Sequence, residues 1–171
     1  VRLDHNELTS MDFTSNTALE FLRVDSNMLV SIDLPKTNNL DELYLSSNNL
    51  TKFDQFDKLA SLDILELASN DIEAINVNGM AELVELDLRS NDQLVTVVIT
   101  NNELLEKLDL GNNVSLDKAV ITGNTKLDSM TIEASVKILT FTGNGNVKVN
   151  SSMIDILFDC LSAIEIGRAS C

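Results

Sequence analysis

The 171-residue chain has few of the residue types on which common functional sites depend. It contains one histidine, one tyrosine, one proline and no tryptophan. It has no apolar run of about 18 residues or more, so no segment predicts a membrane-spanning helix. The sequence also has no glycine-rich phosphate-binding motif. Its most glycine-rich stretch, GNGN at 143–146, is typical of a turn. These absences exclude several classes of site before any pattern is considered.

The single histidine, His5, lies on a turn near the start of the chain. A zinc site or a histidine-dependent triad needs partner ligands or a nucleophile beside it, and the sequence supplies no such set. The acidic residues do not follow the spacing of a calcium-binding loop. We therefore interpret His5 as an exposed loop residue. We predict no catalytic residue, no metal site and no cofactor, and we predict that the chain is not an enzyme.

Positive charge is scarce, and the formal net charge is −15. A surface this acidic repels phosphate backbones and anionic lipids, so we expect no nucleic-acid partner and no direct membrane insertion. An apolar fraction of 44% is normal for a folded protein and argues against disorder. The charge has two interpretations, which are simple solubility of an elongated molecule and a functional acidic patch.

What the chain does have is a repeat, clearest in the stretch LDELYLSSNNL at residues 40–50. An asparagine recurs in this frame, and successive copies are 21 or 22 residues apart. A fixed apolar skeleton with such a period predicts a solenoid. The asparagines of this series are Asn6, Asn27, Asn48, Asn70, Asn91 and Asn113.

A second copy of the frame lies between the first copies and carries Asn102, Asn124 and Asn144. Each repeat is therefore two similar half-repeats, each with a short strand. Side chains alternate along a strand, so Leu43 should point inward and Tyr44 outward. An asparagine amide both donates and accepts, so a stack of these residues should satisfy backbone groups in adjacent turns.

The motifs LYLSSNNL, LELASNDI and LDLGNN resemble leucine-rich repeats, with the pattern LxxLxLxxNxL. The doubled half-repeat is similar to the IRREKO-like subclass and to bacterial internalin-like ectodomains. The resemblance implies an α/β-type or mostly β solenoid, wound as a right-handed coil with a parallel sheet on its concave face. The half-repeats depart from the helical convex side that is commoner in the family, and they predict short strands or extended segments opposite the sheet and therefore low curvature. The concave face commonly binds protein in this family.

One repeat departs from the others at residues 50–60, where Phe53, Phe56 and Leu59 have helical spacing. We expect one turn of helix to replace the second strand there.

We expect a solenoid of about seven repeats over residues 1–150, truncated at its N-terminus, so that the chain is a piece of a longer protein. Residues 151–165 have the pattern of an amphipathic helix, which is either a last repeat or a C-terminal cap. Residues 166–171 correspond to codons that resemble a sequencing adapter, so an assembly artefact is one hypothesis for them. Cys160 and Cys171 pair only if both are native. Sequons occur at Asn49, Asn113 and Asn150, and we expect Asn113 to be buried.

The outward positions of the main strands should form one surface, and aromatic residues and arginine are enriched where protein ligands bind. The predicted ligand-binding residues are Phe21, Arg23, Tyr44, Ile64, Glu66, Asp87, Arg89 and Asp109. The leading hypothesis is a protein-recognition module within a larger surface or receptor-like protein, with an extracellular or cell-surface location favoured over the cytoplasm. The alternative is a regulatory or spacer segment of a signalling enzyme such as a kinase, phosphatase or cyclase.

Overall fold

The computed structural model describes residues 1–133 and 135–149. The predicted helix at 151–165, the adapter hypothesis for 166–171, the two cysteines and the sequon at Asn150 lie outside these residues. The described chain is a parallel-sheet β-solenoid of about six turns with almost no helix. Of the two fold classes predicted, the mostly β solenoid is therefore confirmed. Handedness, low curvature and the domain boundary at residue 150 stay predictions.

Parallel strands form one long sheet and two shorter ones. The main sheet has the order β13-β11-β9-β7-β5-β4-β2, and these strands are, in chain order, Phe21–Arg23 (β2), Glu42–Tyr44 (β4), Ile64–Glu66 (β5), Glu85–Asp87 (β7), Lys107–Asp109 (β9), Ser129–Thr131 (β11) and Lys148–Val149 (β13). On the second face, Ala74–Asn78 (β6), Thr96–Thr100 (β8), Lys118–Thr122 (β10) and Ile138–Thr142 (β12) form one sheet, and Ser10–Asp12 (β1) pairs with Ser31–Asp33 (β3).

The core lies between the two faces and is filled by the inward residues of each strand. Leu43 and Leu45 are fully buried, whereas Tyr44 between them is half-buried on the outside. On the second face Ile75 and Val77 are buried while their neighbours in β6 are exposed. Strands on both faces confirm the half-repeat prediction, and the alternation fixes which residues a partner can reach.

The asparagines sit where the chain leaves each main strand, and their side chains join successive turns of the coil. The Nδ2 group of Asn48 donates to the carbonyl oxygens of Leu45 at 3.0 Å and of Val24, in the preceding turn, at 3.1 Å. Its Oδ1 atom accepts from the Leu29 N–H at 2.9 Å. Asn48 is 7% exposed, so these bonds satisfy backbone groups that water does not reach.

From the repeat that starts at Leu83 onward, one extra residue lies between the ladder asparagine and the next apolar position, and it changes the turn. The N–H of Leu94 donates to the Asn91 carbonyl at 2.9 Å, which closes a four-residue turn. The Oδ1 atom of Asn113 consequently accepts from the N–H of Asn91 itself, at 2.8 Å. In the second series the side chains also bond directly, since Asn102 Nδ2 lies 3.2 Å from Asn124 Oδ1.

The residue before each ladder asparagine adopts a left-handed conformation that the sequence analysis did not anticipate. Ser47 has φ 56°, His5 has φ 56° and Asn101 has φ 56°. Before Asn124 the position is Gly123, with φ 71°. Non-glycine residues seldom adopt this region, so the bonds of the asparagine hold the preceding residue there. His5 therefore lies at a ladder turn.

The prediction of a helical turn within residues 50–60 is confirmed, because Phe56–Lys58 form a 3₁₀ turn where a second-face strand is missing. Phe53 and Leu59 are buried on either side of it. The side-chain amide of Gln55 takes the place of the missing strand, because it accepts from the Leu34 N–H at 3.0 Å and donates to the Ile32 carbonyl at 2.6 Å. Gln55 therefore covers one edge of β3.

Replacing Asn91 with aspartate should destabilise the protein by at least about 3 kcal/mol. The variant is nearly isosteric, but it loses the donors to Leu67 and Leu88 and sets a carboxylate against their carbonyl oxygens. Urea unfolding measures the loss. Asn6→Asp is the matched control, because exposed Asn6 bonds only to carbonyls in its own turn, and it should cost less than about 1 kcal/mol. Equal losses would contradict the proposed role of the ladder.

Gln55→Ala should lower the free energy of unfolding by about 1–3 kcal/mol, because the Leu34 N–H and the Ile32 carbonyl lose their partner. The exposed glutamine Gln93 provides the control, and Gln93→Ala should change stability by about 0.5 kcal/mol or less. Thermal unfolding followed by circular dichroism would compare the two. A neutral Gln55→Ala variant would show that water replaces the amide.

Candidate functional site

The register of the main sheet arranges its outward side chains in two columns. The first contains Phe21, Glu42, Ile64, Glu85, Lys107, Ser129 and Lys148. The second contains Arg23, Tyr44, Glu66, Asp87, Asp109 and Thr131. Adjacent members of a column are about 4.8 Å apart, so they are close enough to influence one another.

An aromatic and arginine cluster, comprising Arg2, Phe21, Arg23 and Tyr44, occupies the N-terminal end of this surface. The rings of Phe21 and Tyr44 are 5.5 Å apart between centroids and tilted by 42°. The Arg23 guanidinium lies 4.3 Å from the Tyr44 ring, and that of Arg2 lies 5.3 Å from the Phe21 ring. Stacked cations and rings hold one another in place with little mobility to lose on binding.

The Tyr44 hydroxyl fixes this cluster to the sheet by donating to Glu42 at 2.7 Å. Partial burial, together with this hydrogen bond, raises the pKa of Tyr44 to about 12. The ring is therefore neutral across the physiological range. Arg23 Nε also lies 3.3 Å from Asp25 Oδ1, an ion pair without hydrogen-bond geometry.

An acidic column, comprising Glu66, Asp87 and Asp109, continues from Tyr44. Burial raises the pKa of Glu66, and the negative charge of Asp87 raises it further. Burial also raises the pKa of Asp87, which is 8% exposed, although hydrogen bonding from the Arg89 N–H opposes the shift. The guanidinium of Arg89 pairs with Asp87 at 3.1 Å. The column therefore holds more negative charge than its own cations neutralise.

The residues predicted for ligand binding lie on the strands of the main sheet, except Arg89, which follows β7 and pairs with Asp87. Phe21 and Tyr44 touch across adjacent strands, and Ile64 follows Glu42 in the column of Phe21, on the strand next to Tyr44. The sequence analysis missed Arg2, which pairs with Arg23 across neighbouring turns. Its position before Leu3 repeats the outward place of Arg23 and was the available signal. The binding role of these residues stays a prediction.

The groups that offer metal ligands within the described residues are Asp4, His5 and Asp25, whose ligand atoms lie within 4.8 Å of one another. His5 Nδ1 is already 3.1 Å from Asp4 Oδ2, and Arg23 pairs with Asp25. Asp4 and Asp25 are half-buried, and His5 is exposed. The predicted absence of a metal, a cofactor and an enzymatic activity stays a prediction.

No protein-family model matches the chain, and no curated protein matches it. Among solved structures, a functional domain of InlJ from Listeria monocytogenes, which includes a cysteine ladder, is similar at 20% identity with a TM-score of 0.47. The match covers 82% of this chain and 47% of that one, so this chain spans about half the length of that domain. The IRREKO-like subclass stays a prediction.

The sequon asparagines differ in their exposure to solvent. Asn113 is fully buried, as predicted, which makes its sequon inaccessible, while Asn49 is exposed. None of the helices in the described residues has the length and apolar character that crossing a bilayer requires.

Glu66→Gln should stabilise the protein at pH 7 and do so less as the pH falls. A raised pKa means that the folded chain holds the Glu66 proton more tightly than the unfolded chain does. Ionisation above the folded pKa therefore opposes folding, and the glutamine variant removes that cost. The difference between variant and wild type should shrink as the pH falls through the folded pKa. Thermal unfolding at a series of pH values measures it.

Glu73→Gln is the control, because it removes the same charge from an exposed position outside the main sheet. It should show a smaller gain at pH 7. Equal gains from both variants would mean that the total charge of −15, and not the acidic column, opposes folding.

Proposed function

We propose that the chain is a protein-recognition module that binds a protein ligand on its main sheet. The observation that carries this proposal is the aromatic and arginine cluster, which lies pre-packed and solvent-facing on a rigid sheet. Residues of these types supply most of the energy at protein interfaces. Because ring and guanidinium are already held together, a ligand would meet them with little ordering cost.

The acidic column extends the same surface, so the charge of the surface changes along the solenoid axis. A ligand would meet aromatic rings and arginines at β2 and β4, and carboxylates from β5 to β9. The column has the raised carboxyl pKa values described above, so a cationic ligand group placed beside it would relieve repulsion already present. We infer that the ligand presents apolar or acidic groups to the cluster and basic groups to the column.

A repeat module of this kind functions as part of a larger protein, and we propose a surface or receptor-like protein as its context. The solenoid geometry supports recognition in general, since stacked strands give an extended and rigid surface. A regulatory or spacer segment of a signalling enzyme would use the same geometry. Sequence flanking these residues distinguishes the two, since an export signal with an anchor supports the first and a catalytic domain supports the second.

The double variant Arg23→Ala, Tyr44→Ala should lose most ligand capture while remaining folded. Both side chains lie on the outer surface, so their removal leaves the buried core and the asparagine ladder unchanged. The immobilised chain would be exposed to candidate extracellular or surface proteins, with captured proteins identified by mass spectrometry. Binding of each captured protein should then fall by at least about tenfold, which corresponds to loss of one strong contact.

The double variant Val120→Ala, Thr140→Ala changes two outward residues of the second face and is the matched control. It should capture the same proteins as the wild type. Capture that survives the main-sheet variant and disappears in the second-face variant would reject the proposal.

A further inference from the structure

The second face of the solenoid is interrupted, and the two strand edges beside the interruption differ. The pair β1-β3 lies on one side and the sheet that starts with β6 lies on the other. Between them the chain forms the 3₁₀ turn Phe56–Lys58 instead of a strand. Gln55 covers the β3 edge with both of its amide groups, as described above. No side chain in the described residues does the same for β6.

The backbone groups at the β6 edge are therefore without a protein partner. Directly after β6 and β8, the N–H groups of Gly79 and Asn101 donate forward to the carbonyls of Thr100 and Thr122 in the next turn, at 3.0 and 2.9 Å. The alternate residues point backward, since the Lys118 N–H donates to the carbonyl of Val95 in the preceding turn at 3.1 Å. The register places three residues of β6 in this backward orientation, and they are Ala74, Asn76 and Asn78.

Within the described part of the chain, these three residues donate no backbone hydrogen bond to the preceding turn. The last such bond before the gap runs from the Glu73 N–H to the Thr51 carbonyl at 3.3 Å. All three residues are exposed. Edge strands in soluble proteins are usually protected by a lysine, a proline or a bulge, and the sequence AINVN of β6 has none of these. An open edge in this state is a template for another strand.

An apolar groove runs beside this edge and could receive alternate side chains of an added strand. Its lining comes from the segment that replaces the missing strand and from β6 and β8, and comprises Lys52, Phe53, Asp54, Phe56, Ala74, Ile75, Asn76, Thr96 and Val98. The rings of Phe53 and Phe56 stand edge to face, with centroids 5.2 Å apart. Lys52 and Asp54 at its mouth pair with each other at 3.5 Å, so they contribute no net charge.

We propose that the β6 edge binds an extended peptide from a partner protein, which adds as a strand beside β6 and places an apolar side chain against Phe56. Main-chain hydrogen bonds to Ala74, Asn76 and Asn78 supply the affinity, and the groove selects the side chain. Because the chain carries a net charge of −15, the peptide is basic rather than acidic. The inference does not depend on ligand binding at the main sheet, which lies on the opposite face.

The test uses a synthetic peptide that copies residues 95–101, VTVVITN, because strand β8 already pairs with β6 along its other edge. The peptide carries two added lysines and a fluorescent label. Two versions are made, each with N-methyl groups on one of the two alternating sets of amides. Each version has one blocked edge, so the peptides cannot stack. One version should bind the whole chain in fluorescence polarisation, and the other should not.

Asn76→Pro should weaken binding of the active peptide by at least about tenfold, because it removes the central edge-facing N–H. The fold should survive, since proline is tolerated at edge strands and this N–H has no partner in the described residues. Asn76→Ala keeps the N–H and should bind within about threefold of the wild type. The main-sheet double variant Arg23→Ala, Tyr44→Ala should bind this peptide normally.

Hydrogen exchange on the wild-type protein gives a second measurement that needs no variant. The amides of Ala74, Asn76 and Asn78 should become protected when the active peptide is added. The proposal is overturned if neither peptide binds, if both bind equally, or if protection appears elsewhere. It is also overturned if the chain alone sediments as a dimer that Asn76→Pro dissociates, because the edge would then serve a second copy.

Discussion

The hydrogen bonds of the buried asparagines are the constraint on which the rest of the structure depends. A solenoid turn leaves the main strand at a sharp corner, where backbone groups point into the core instead of along a sheet. Asn48 satisfies such groups in its own turn and in the preceding one, with distances between 2.9 and 3.1 Å for its main contacts. Among uncharged side chains, only those of asparagine and glutamine have two N–H donors and a carbonyl acceptor in one plane, and glutamine is longer. Each turn of the coil is thus fastened to the last, and the strands remain in register.

That regularity gives the outer surface its organisation. Because the registers are fixed, residues far apart in sequence become neighbours in a column, as with Tyr44, Glu66 and Asp87. The result is a rigid surface with an aromatic and arginine end and a carboxylate end. The raised pKa values of Glu66 and Asp87 show that the sheet holds these groups where they oppose folding at neutral pH.

At residues 50–60 the repeat loses its strand on the second face but keeps its strand in the main sheet. The main strand of that repeat is intact, and Leu50 still donates to Asn70 at 3.0 Å. On the second face, a 3₁₀ turn and the Gln55 amide replace a strand. The replacement protects β3 and leaves β6 open, so a local change in one repeat creates an edge within the second face, between β3 and β6.

The sequence by itself determined the solenoid, its two strands per repeat, the inward leucines and the asparagine series, because each follows from a local period that successive copies repeat. It also indicated the helical turn near Phe56, where the spacing of one repeat departs from that period. It also identified the outward residues of the main sheet. It did not determine the left-handed residues before the asparagines or the turn made by the extra residue. Only the tertiary structure decided that Gln55 covers β3 and that β6 is uncovered, because those bonds join residues about one repeat apart whose side chains follow no repeating pattern. Periodicity fixes which face a residue occupies, and the packing of neighbouring turns decides which groups on that face find partners.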